Sequence, residues 1–439
     1  MNPADLCDAV LERVGTRAMA EVAAREGRYA LTRFANSAIH QNVAEDNRSV
    51  RIRVVSDGRQ ASASTNRLDD EGLSRLVEGA LEAARLRPPD PDWPGLTPPT
   101  LVPSLDRYDD ETRMASPETR AGVVSDFVEA GVDLRAAGYC DTGGSDVCFA
   151  NSAGQRALGR YSHAAVDGVQ RTKTSDGCGW QTTRRLAELD GAAAGATAAA
   201  TARAGGADAT DLEPGEYEVV LGPRCVADIV GFLGAYGFNA KTHAESRSFV
   251  ELGERQFDPA LALFDDVFDE RALGLPFDAE GTPKSRVELV RAGVSRNLLH
   301  DRRTARLADA QSTGHAVVGG ESFGPMASNL FLEGADPRPV DEIVSRVRRG
   351  LLVSDFWYTR VIDPKTLVVT GLTRNGTFLV ENGAVTRPVS NLRFTQSYAE
   401  ALAPGGVLGT ADDGRLVDSS TFVPTLHVGA WRFTGGASG

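Results

Sequence analysis

The second half of the chain takes its fold from the stretch Glu216-Tyr217-Glu218-Val219-Val220-Leu221, which Gly222-Pro223 follows directly. Polar and apolar residues alternate along the first six positions, which is typical of a strand that is buried on one side. Gly-Pro predicts a turn. The apolar residues 226–238 then predict a helix. A strand, a turn and a helix therefore open a C-terminal domain that we place at residues 216–439.

Strands predominate in the rest of this domain. A hairpin turn is expected at Asn382-Gly383, because Asn-Gly tolerates the positive φ angles that such turns require. The clearest predicted strands are residues 287–290, 367–370, 377–381, 384–388 and 426–433. The sequence thus predicts a β-rich C-terminal domain.

Upstream of residue 216, helices and strands are mixed. Residues 3–14 and 69–85 predict amphipathic helices. Between them, a β-meander is predicted with a hairpin turn at Ser56-Asp57-Gly58. Its four strands are residues 29–34, 38–43, 50–55 and 60–64. Residues 87–99 contain six prolines, a linker composition, so we place the end of an N-terminal domain at residues 1–99.

A central domain is predicted at residues 100–215. Its first helix begins with Ser116 as the cap and Pro117 at the first helical position, and we expect it to run to about residue 137. Strands at 147–150 and 156–161 flank a turn at 151–154, and the alanine-rich residues 186–204 predict a helix that packs through small side chains. The fold class is α+β, with mixed α/β N-terminal domains followed by the β-rich C-terminal domain.

Composition excludes several classes of function. The 439 residues are 41% hydrophobic and 24% charged, as in a soluble globular protein. A net charge of -13 opposes the binding of nucleic acid. Apolar runs are too short for a membrane span, and Asp5, Asp8 and Glu12 interrupt any signal-like segment. Five cysteines without a C-x-x-C pair suit reduced thiols, so we expect a cytoplasmic protein.

Several motifs follow one another in a characteristic order. They are Phe277-Asp278-Ala279-Glu280-Gly281-Thr282-Pro283, Leu298-Leu299-His300-Asp301-Arg302-Arg303-Thr304-Ala305, Ser312-Thr313-Gly314-His315, Asn329-Leu330-Phe331-Leu332-Glu333-Gly334 and Arg374-Asn375-Gly376-Thr377-Phe378. With Arg33-Phe34-Ala35-Asn36-Ser37 near the start, this series resembles the TldD/PmbA peptidase family. The family's zinc-binding branch carries His-Glu-x-x-x-His on the helix after the opening strand. The matching residues here are Gly231-Phe232-Leu233-Gly234-Ala235-Tyr236, and no cysteine follows Cys225 to act as the branch's C-terminal ligand.

The resemblance implies different roles for this chain and for a partner subunit. The chain looks like the metal-free, TldE/PmbA-like subunit of a TldD/TldE-type metallopeptidase, with no catalytic residue, metal site or cofactor of its own. Zinc is expected in a TldD-like partner subunit, and the substrate would be an unfolded peptide that only the complex cleaves. Two alternatives remain open: a non-catalytic scaffold that binds peptides, and a self-sufficient hydrolase with an unrecognised nucleophile.

Six residues are candidates for contact with the substrate or the partner. His300, Asp301 and Arg302 form either a wall of the peptide groove or, equally well, a salt-bridge network between elements. Asn329, Leu330 and Phe331 open a segment, residues 329–333, that has the character of a strand edge. Such an edge binds an extended peptide by strand addition.

Other chemistries have weaker support. His243 and Glu245 offer two metal-ligand types, but on a helix they point apart. Cys225 would begin the helix, where the dipole lowers a thiol pKa, yet a buried structural cysteine is the favoured interpretation. The one Gly-x-Ser-x-Gly pattern, Gly320-Glu321-Ser322-Phe323-Gly324, lies in a loop-like Gly-Ser stretch, and the sequence contains no Gly-x-Gly-x-x-Gly or Walker motif.

Overall fold

The computed structural model of the chain describes residues 1–206 and 208–436, so the last three residues of the predicted C-terminal domain lie outside the described part. The α+β class and the β-rich C-terminal half are confirmed. None of the helices within the described ranges is long and apolar enough to cross a membrane.

The first half of the chain forms one antiparallel sheet of six strands in the order β3-β2-β1-β4-β5-β6. These strands are β1 (Met19–Ala35), β2 (Ala38–Ser56), β3 (Arg59–Thr65), β4 (Arg135–Asn151), β5 (Arg156–Arg171) and β6 (Asp176–Thr183). β1 pairs with β4 from Glu21↔Asn151 to Phe34↔Gly138. The sheet therefore runs across the boundary that we place at residue 99, and the proline-rich linker does not separate two sheets.

Helices pack against this sheet in two groups, each with its own core. They are α1 (Pro3–Val14), α2 (Asp70–Arg85), α3 (Asp110–Arg113), α4 (Pro117–Glu129) and α5 (Gly191–Ala204). The alanine-rich helix α5 lies so close to β6 that a Cβ atom on Gly179 would come within 1.8 Å of the Ala194 carbonyl oxygen. The predicted packing through small side chains is thus confirmed for the segment that forms α5.

Several predicted boundaries in this half were wrong; for example, the strands 147–150 and 156–161 are parts of the longer β4 and β5, and the helix 186–204 begins only at Gly191. The predicted strands 38–43 and 50–55 are one strand, β2, because β1 pairs with it continuously through the exposed polar residues between them. The predicted strand 29–34 likewise begins at Met19. Helix α4 ends at Glu129 rather than near residue 137, because β4 already begins at Arg135.

The second half contains two sheets. The first has the order β12-β17-β20-β16-β14-β13-β7 with β15 beside β14, and β20 also pairs with β7, so five of its strands close into a barrel. Its strands are β7 (Gly215–Leu221), β12 (Pro337–Arg338), β13 (Arg349–Asp363), β14 (Val368–Glu381), β15 (Ala384–Pro388), β16 (Leu392–Ser397), β17 (Val407–Ala411) and β20 (Leu426–Gly436). The predicted strands 367–370 and 377–381 are both parts of β14.

The other sheet has the order β10-β9-β8-β11-β19-β18. Its strands are β8 (Leu261–Asp265), β9 (Val287–Arg291), β10 (Val294–Ser295), β11 (Leu330–Gly334), β18 (Arg415–Val417) and β19 (Thr421–Val423). The helices of this half are α6 (Pro223–Phe232), α7 (Ala240–Ala244), α8 (Arg302–Leu307), α9 (Gly320–Phe323), α10 (Val340–Ser345) and α11 (Tyr398–Ala401). The buried side of α6 contributes to the large core that the two sheets share.

Candidate functional site

Helix α6 lies where the resemblance places the zinc helix. It begins at Pro223, and a π-helical turn, Leu233–Gly237, follows it directly. The predicted helix 226–238 is therefore present, but its last part is π-helical instead of α-helical. Aromatic rings surround the C-terminal end of α6. The ring of Phe232 lies 5.9 Å from that of Tyr236 and 6.0 Å from that of Tyr398.

One carboxylate on α6 is buried and fully engaged. The two oxygens of Asp228 accept hydrogen bonds from the hydroxyls of Thr359 and Tyr398, each at 2.7 Å. Burial raises the pKa of Asp228 to about 6, although these two hydrogen bonds oppose the shift. Asp228 therefore fastens α6 to β13 and α11.

The donor atoms around α6 do not fit a zinc ion. A catalytic zinc needs three protein ligands from His, Cys, Asp or Glu. Across residues 1–206 and 208–436, no group of three or more such side chains is arranged to hold a metal. Glu245 is paired with Lys241 at 2.7 Å and with Arg247 at 3.1 Å, so it is occupied away from His243.

Cys225 is inaccessible at the start of α6. Its side chain is completely buried, and its sulfur lies 3.6 Å from the carbonyl oxygen of Val353. Burial raises the pKa of the Cys225 thiol well above its usual value, which overrides any effect of the helix dipole. The structural interpretation of this cysteine is therefore the better one.

The candidates His300, Asp301 and Arg302 lie together at the start of α8. Asp301 caps this helix by accepting the amide hydrogen of Thr304 at 2.7 Å. His300 is 8% exposed, and burial lowers its pKa. The Arg302 guanidinium donates to the carbonyl oxygens of Pro94 and Leu96, at 3.2 and 3.1 Å.

Two neighbouring arginines continue this contact with the linker. Arg303 pairs with Asp90, and Arg306 donates to the carbonyl oxygen of Trp93 at 2.5 Å. The cluster therefore joins α8 to the proline-rich residues 87–99. This matches the interpretation as a network between elements. The groove-wall hypothesis for these three candidates stays a prediction.

The expectation of a free strand edge at residues 329–333 was wrong. Leu330 and Phe331 lie on β11, which pairs with β8 on one side and with β19 on the other. The Phe331 ring is stacked between Phe264 and Phe422 and is 1% exposed. Asn329 is also buried, and its side-chain amide donates to the carbonyl oxygen of Leu273. The two neighbouring strands occupy both edges of β11 at Leu330 and Phe331, so a peptide cannot add to the strand at these two candidates.

A polar cluster that sequence reasoning missed lies beside β11. The Asp265 carboxylate accepts the amide hydrogens of Ser328 and Asn329 at 2.7 and 2.8 Å, and it lies 3.0 Å from Nε2 of His315. Burial opposes ionisation of Asp265, but the hydrogen bond and charge of His315 outweigh it, so the pKa of Asp265 is lowered. The Lys284 ammonium donates to Oγ of Ser328 at 2.6 Å, and burial lowers the pKa of Lys284.

Lys284, His315 and Ser328 of this cluster line a cavity of about 550 Å³ between the first sheet and the C-terminal half. Its apolar walls include Phe149 on β4 and Phe277 in the loop before β9. Asp278 holds that loop in place by accepting three backbone amide hydrogens at 2.9 Å each. The sequence motifs include Asp278 and His315, but nothing in their spacing indicated that Lys284 would join them.

Two family models match the chain. The model described as the PmbA/TldA metallopeptidase C-terminal domain matches residues 214–435, which is half of the chain, and the model of PmbA/TldA metallopeptidase domain 1 matches residues 20–84. The chain belongs to the TldD/PmbA metallopeptidase family. The first match contains α6 and the cavity residues Lys284, His315 and Ser328, and the second contains most of β1 and α2 together with β2 and β3.

Solved structures share the fold of this TldD/PmbA chain over almost its whole length. TldE from Thermococcus kodakarensis has a TM-score of 0.87 at 18% identity, covering 98% of this chain and 99% of that one. A protein of Thermotoga maritima described as a modulator of DNA gyrase has a TM-score of 0.85 at 18% identity, covering 98% and 100%. At this identity the likeness shows the fold.

Curated relatives of the TldD/PmbA chain match over shorter segments. A metalloprotease TldD homolog of Haemophilus influenzae is 26% identical over 171 residues, which are 38% of this chain and 34% of the relative. A metalloprotease of Methanocaldococcus jannaschii is 25% identical over 200 residues, which are 43% of this chain and 42% of the relative. The chain thus aligns with well under half the length of either relative.

Proposed function

We propose that this chain is the metal-free, TldE/PmbA-like subunit of a TldD/TldE-type metallopeptidase complex that processes unfolded peptides. In this proposal a TldD-like partner subunit contributes the zinc ion, which supplies the activated water. This chain contributes no catalytic residue. It completes the chamber and helps to admit extended substrates.

A single observation carries the proposal. The helix that matches the family's zinc helix has Gly231, Phe232 and Tyr236 at positions where the zinc-binding branch has its two histidines and its glutamate. Glycine and phenylalanine bind no metal, and none of the three serves as a general base of the required kind. Aromatic packing against Tyr398 occupies the region instead.

An exposed aromatic pair on β13 offers a surface for the partner. The side chains of Trp357 and Tyr358 are 50% and 68% exposed. Tyr358 has a positive φ of 58°, at a point where the pairing of β13 with β14 is irregular. Large aromatic side chains are enriched at the centres of protein interfaces, and a strained backbone that presents one to solvent supports a binding role.

The first test is association. The chain should form a stable heterodimer with the zinc-bearing, TldD-type paralogue from the same organism, and native mass spectrometry should find zinc only in species that contain the paralogue. Replacing Trp357 and Tyr358 together by serine should weaken the complex by at least tenfold, since such residues each contribute about 2 kcal/mol at an interface centre. Leu86→Ser is the matched control, because Leu86 is also an exposed apolar residue but lies at the end of α2.

A heterodimer that keeps its affinity in the double variant would contradict the role of this surface. Zinc bound stoichiometrically to the isolated chain would contradict the metal-free assignment. If no complex forms at all, the peptide-binding scaffold becomes the better account.

A further inference from the structure

The cavity between the first sheet and the C-terminal half has an unusual balance of charge. The charged residues on its lining are Arg25, Arg51, Lys284 and Asp278. The buried carboxylate of Asp265 is not on the lining but acts on Lys284 through its charge. The chain as a whole has a net charge of -13. An excess of cations on the lining favours the binding of an anion there.

Among the residues that the structure describes, none of the three cations forms a close ion pair. Burial lowers the pKa of Lys284 and of Arg51, and carboxylates at longer range oppose that shift. Asp265 and Asp278 act on Lys284, and Glu21, Glu280 and Glu321 act on Arg51. Within the described residues, no carboxylate oxygen lies within 4.0 Å of any of their nitrogens. Arg25 donates to the hydroxyls of Ser145 and Tyr161, at 2.9 and 2.8 Å, and Arg51 donates weakly to the carbonyl oxygen of Ala279 at 3.4 Å.

Lys284 has the greatest capacity to bind a ligand. Its ammonium group has three hydrogens, and the Oγ atom of Ser328 accepts one of them. The oxygens of Asp278 are engaged by backbone amides, so they do not pair directly with this ammonium. An incompletely bonded ammonium in a largely desolvated position gains strongly from a carboxylate that replaces the lost water.

The apolar walls of the cavity favour a ligand that has an apolar group next to its carboxylate. Phe149 and Phe277 are joined on the lining by Leu275, Val317 and Met326. A volume of about 550 Å³ is in the range of sites that bury small organic ligands. Hydroxyl groups from Ser49, Ser64 and Tyr161 also face the cavity, and these suit amide groups better than a plain hydrocarbon chain.

We propose that this cavity binds the C-terminal residue of a peptide, with the free carboxylate on the Lys284 ammonium and a large apolar side chain against Phe149 and Phe277. The inference rests on the proposed function for its choice of a peptide over other apolar carboxylates. The site selects chain ends, and internal segments of a peptide are excluded because they lack the carboxylate.

The test uses this chain alone and a fluorescent seven-residue Gly/Ser peptide that ends in Phe. Fluorescence anisotropy should give a dissociation constant at least tenfold lower for the free acid than for the C-terminal amide. Lys284→Met should weaken binding of the acid to the level of the amide and leave binding of the amide unchanged. Arg291→Met is the matched control, because it removes an exposed cation on β9 that does not line the cavity.

Equal affinity for the acid and the amide, or no binding of either peptide, would overturn the inference. The comparison of the two peptides uses the unmodified chain, so it remains decisive if the Lys284→Met variant fails to fold. Dodecanoate that displaces the peptide and binds more tightly than it does would overturn the assignment to peptides. Since no partner subunit is present, these results are independent of whether a mixture with the paralogue cleaves anything. A chain that binds the acid selectively but activates no paralogue would keep the site and reject the proposed function.

Discussion

At the scale of single residues, Glu280 holds the most sensitive position between the two halves of the molecule. Arg53 on β2 contacts it at 3.4 Å and contacts Glu21 on β1 at 2.8 Å. Burial, followed by the charge of Asp278, raises the pKa of Glu280 to about 7, and Arg53 opposes the shift. Asp301 and Glu21 add further negative charge nearby. Ionisation of Glu280 in the folded protein is therefore unfavourable, because the carboxylate is buried and has other negative charges close to it.

The stability of the protein should consequently depend on this group. A carboxyl group whose pKa is raised on folding stabilises the native state below its ordinary pKa near 4.5, and that contribution is lost as the pH rises through about 7. We expect the Glu280→Gln variant to lack this fall in the free energy of unfolding, which is on the order of 2 kcal/mol in the wild type. The Tm of the variant relative to the wild type should rise between pH 5 and pH 8.

Calorimetry of both proteins at the two pH values measures this difference. The control is Glu321→Gln, since Glu321 is 56% exposed and lies 3.9 Å from the same arginine. A Tm difference that stays constant with pH, or one that changes equally in the control, would show that Glu280 is not the group responsible.

The residues of the cavity show where prediction from sequence ends at this scale. Asp278 and His315, which line the cavity, belong to motifs that were recognised as a series. No sequence pattern indicated that Lys284 or Asp265 would belong to this site. Both contact Ser328, Lys284 through its hydroxyl oxygen and Asp265 through its amide hydrogen. They do so because β8 pairs with β11 and because Asp278 shapes the loop before β9, and neither fact follows from local pattern.

At the scale of elements, the proline-rich segment 87–99 is fastened to α8. Arg302, Arg303 and Arg306 hold it through contacts with Asp90 and with backbone carbonyl groups. A proline-rich segment forms few hydrogen bonds of its own, because proline lacks the amide hydrogen. The arginines of α8 therefore provide much of what keeps the linker ordered.

Removing two of these arginines should expose the linker to proteolysis. In Arg303→Met/Arg306→Met, thermolysin should cleave between Gly95 and Leu96 about fivefold faster than in the wild type, since local opening becomes easier by about 1 kcal/mol. Mass spectrometry of the fragments identifies the bond. In Arg75→Met, which loses an exposed ion pair on α2, the rate should not change. An unchanged rate in the double variant would mean that the arginines do not hold the linker.

Some elements could be predicted from sequence and others could not. Helices α1 and α2 and the turn at Asn382-Gly383 were predicted because capping residues, amphipathic spacing and turn residues act locally. β2 was divided wrongly because its polar middle is held by its partner strand. β11 was taken for an edge because no local feature reveals that β19, which lies far along the chain, pairs with it.

At the scale of the whole molecule, buried charges join the first sheet to the barrel. Arg224 at the start of α6 pairs with Asp167 on β5 and lies 3.6 Å from Asp355 on β13. Asn375 on β14 donates to Asp355 at 3.0 Å. The helix that matches the family's zinc helix is therefore also a point of attachment between the two halves.

The measurement that tests the central claim most directly is peptidase activity on an unstructured peptide. It compares this chain alone, its zinc-bearing paralogue alone, and the two mixed, each with and without a chelator. The account predicts cleavage only in the mixture, abolished by the chelator and restored by added zinc. Cleavage by the isolated chain, or a mixture as inactive as its parts, would contradict it.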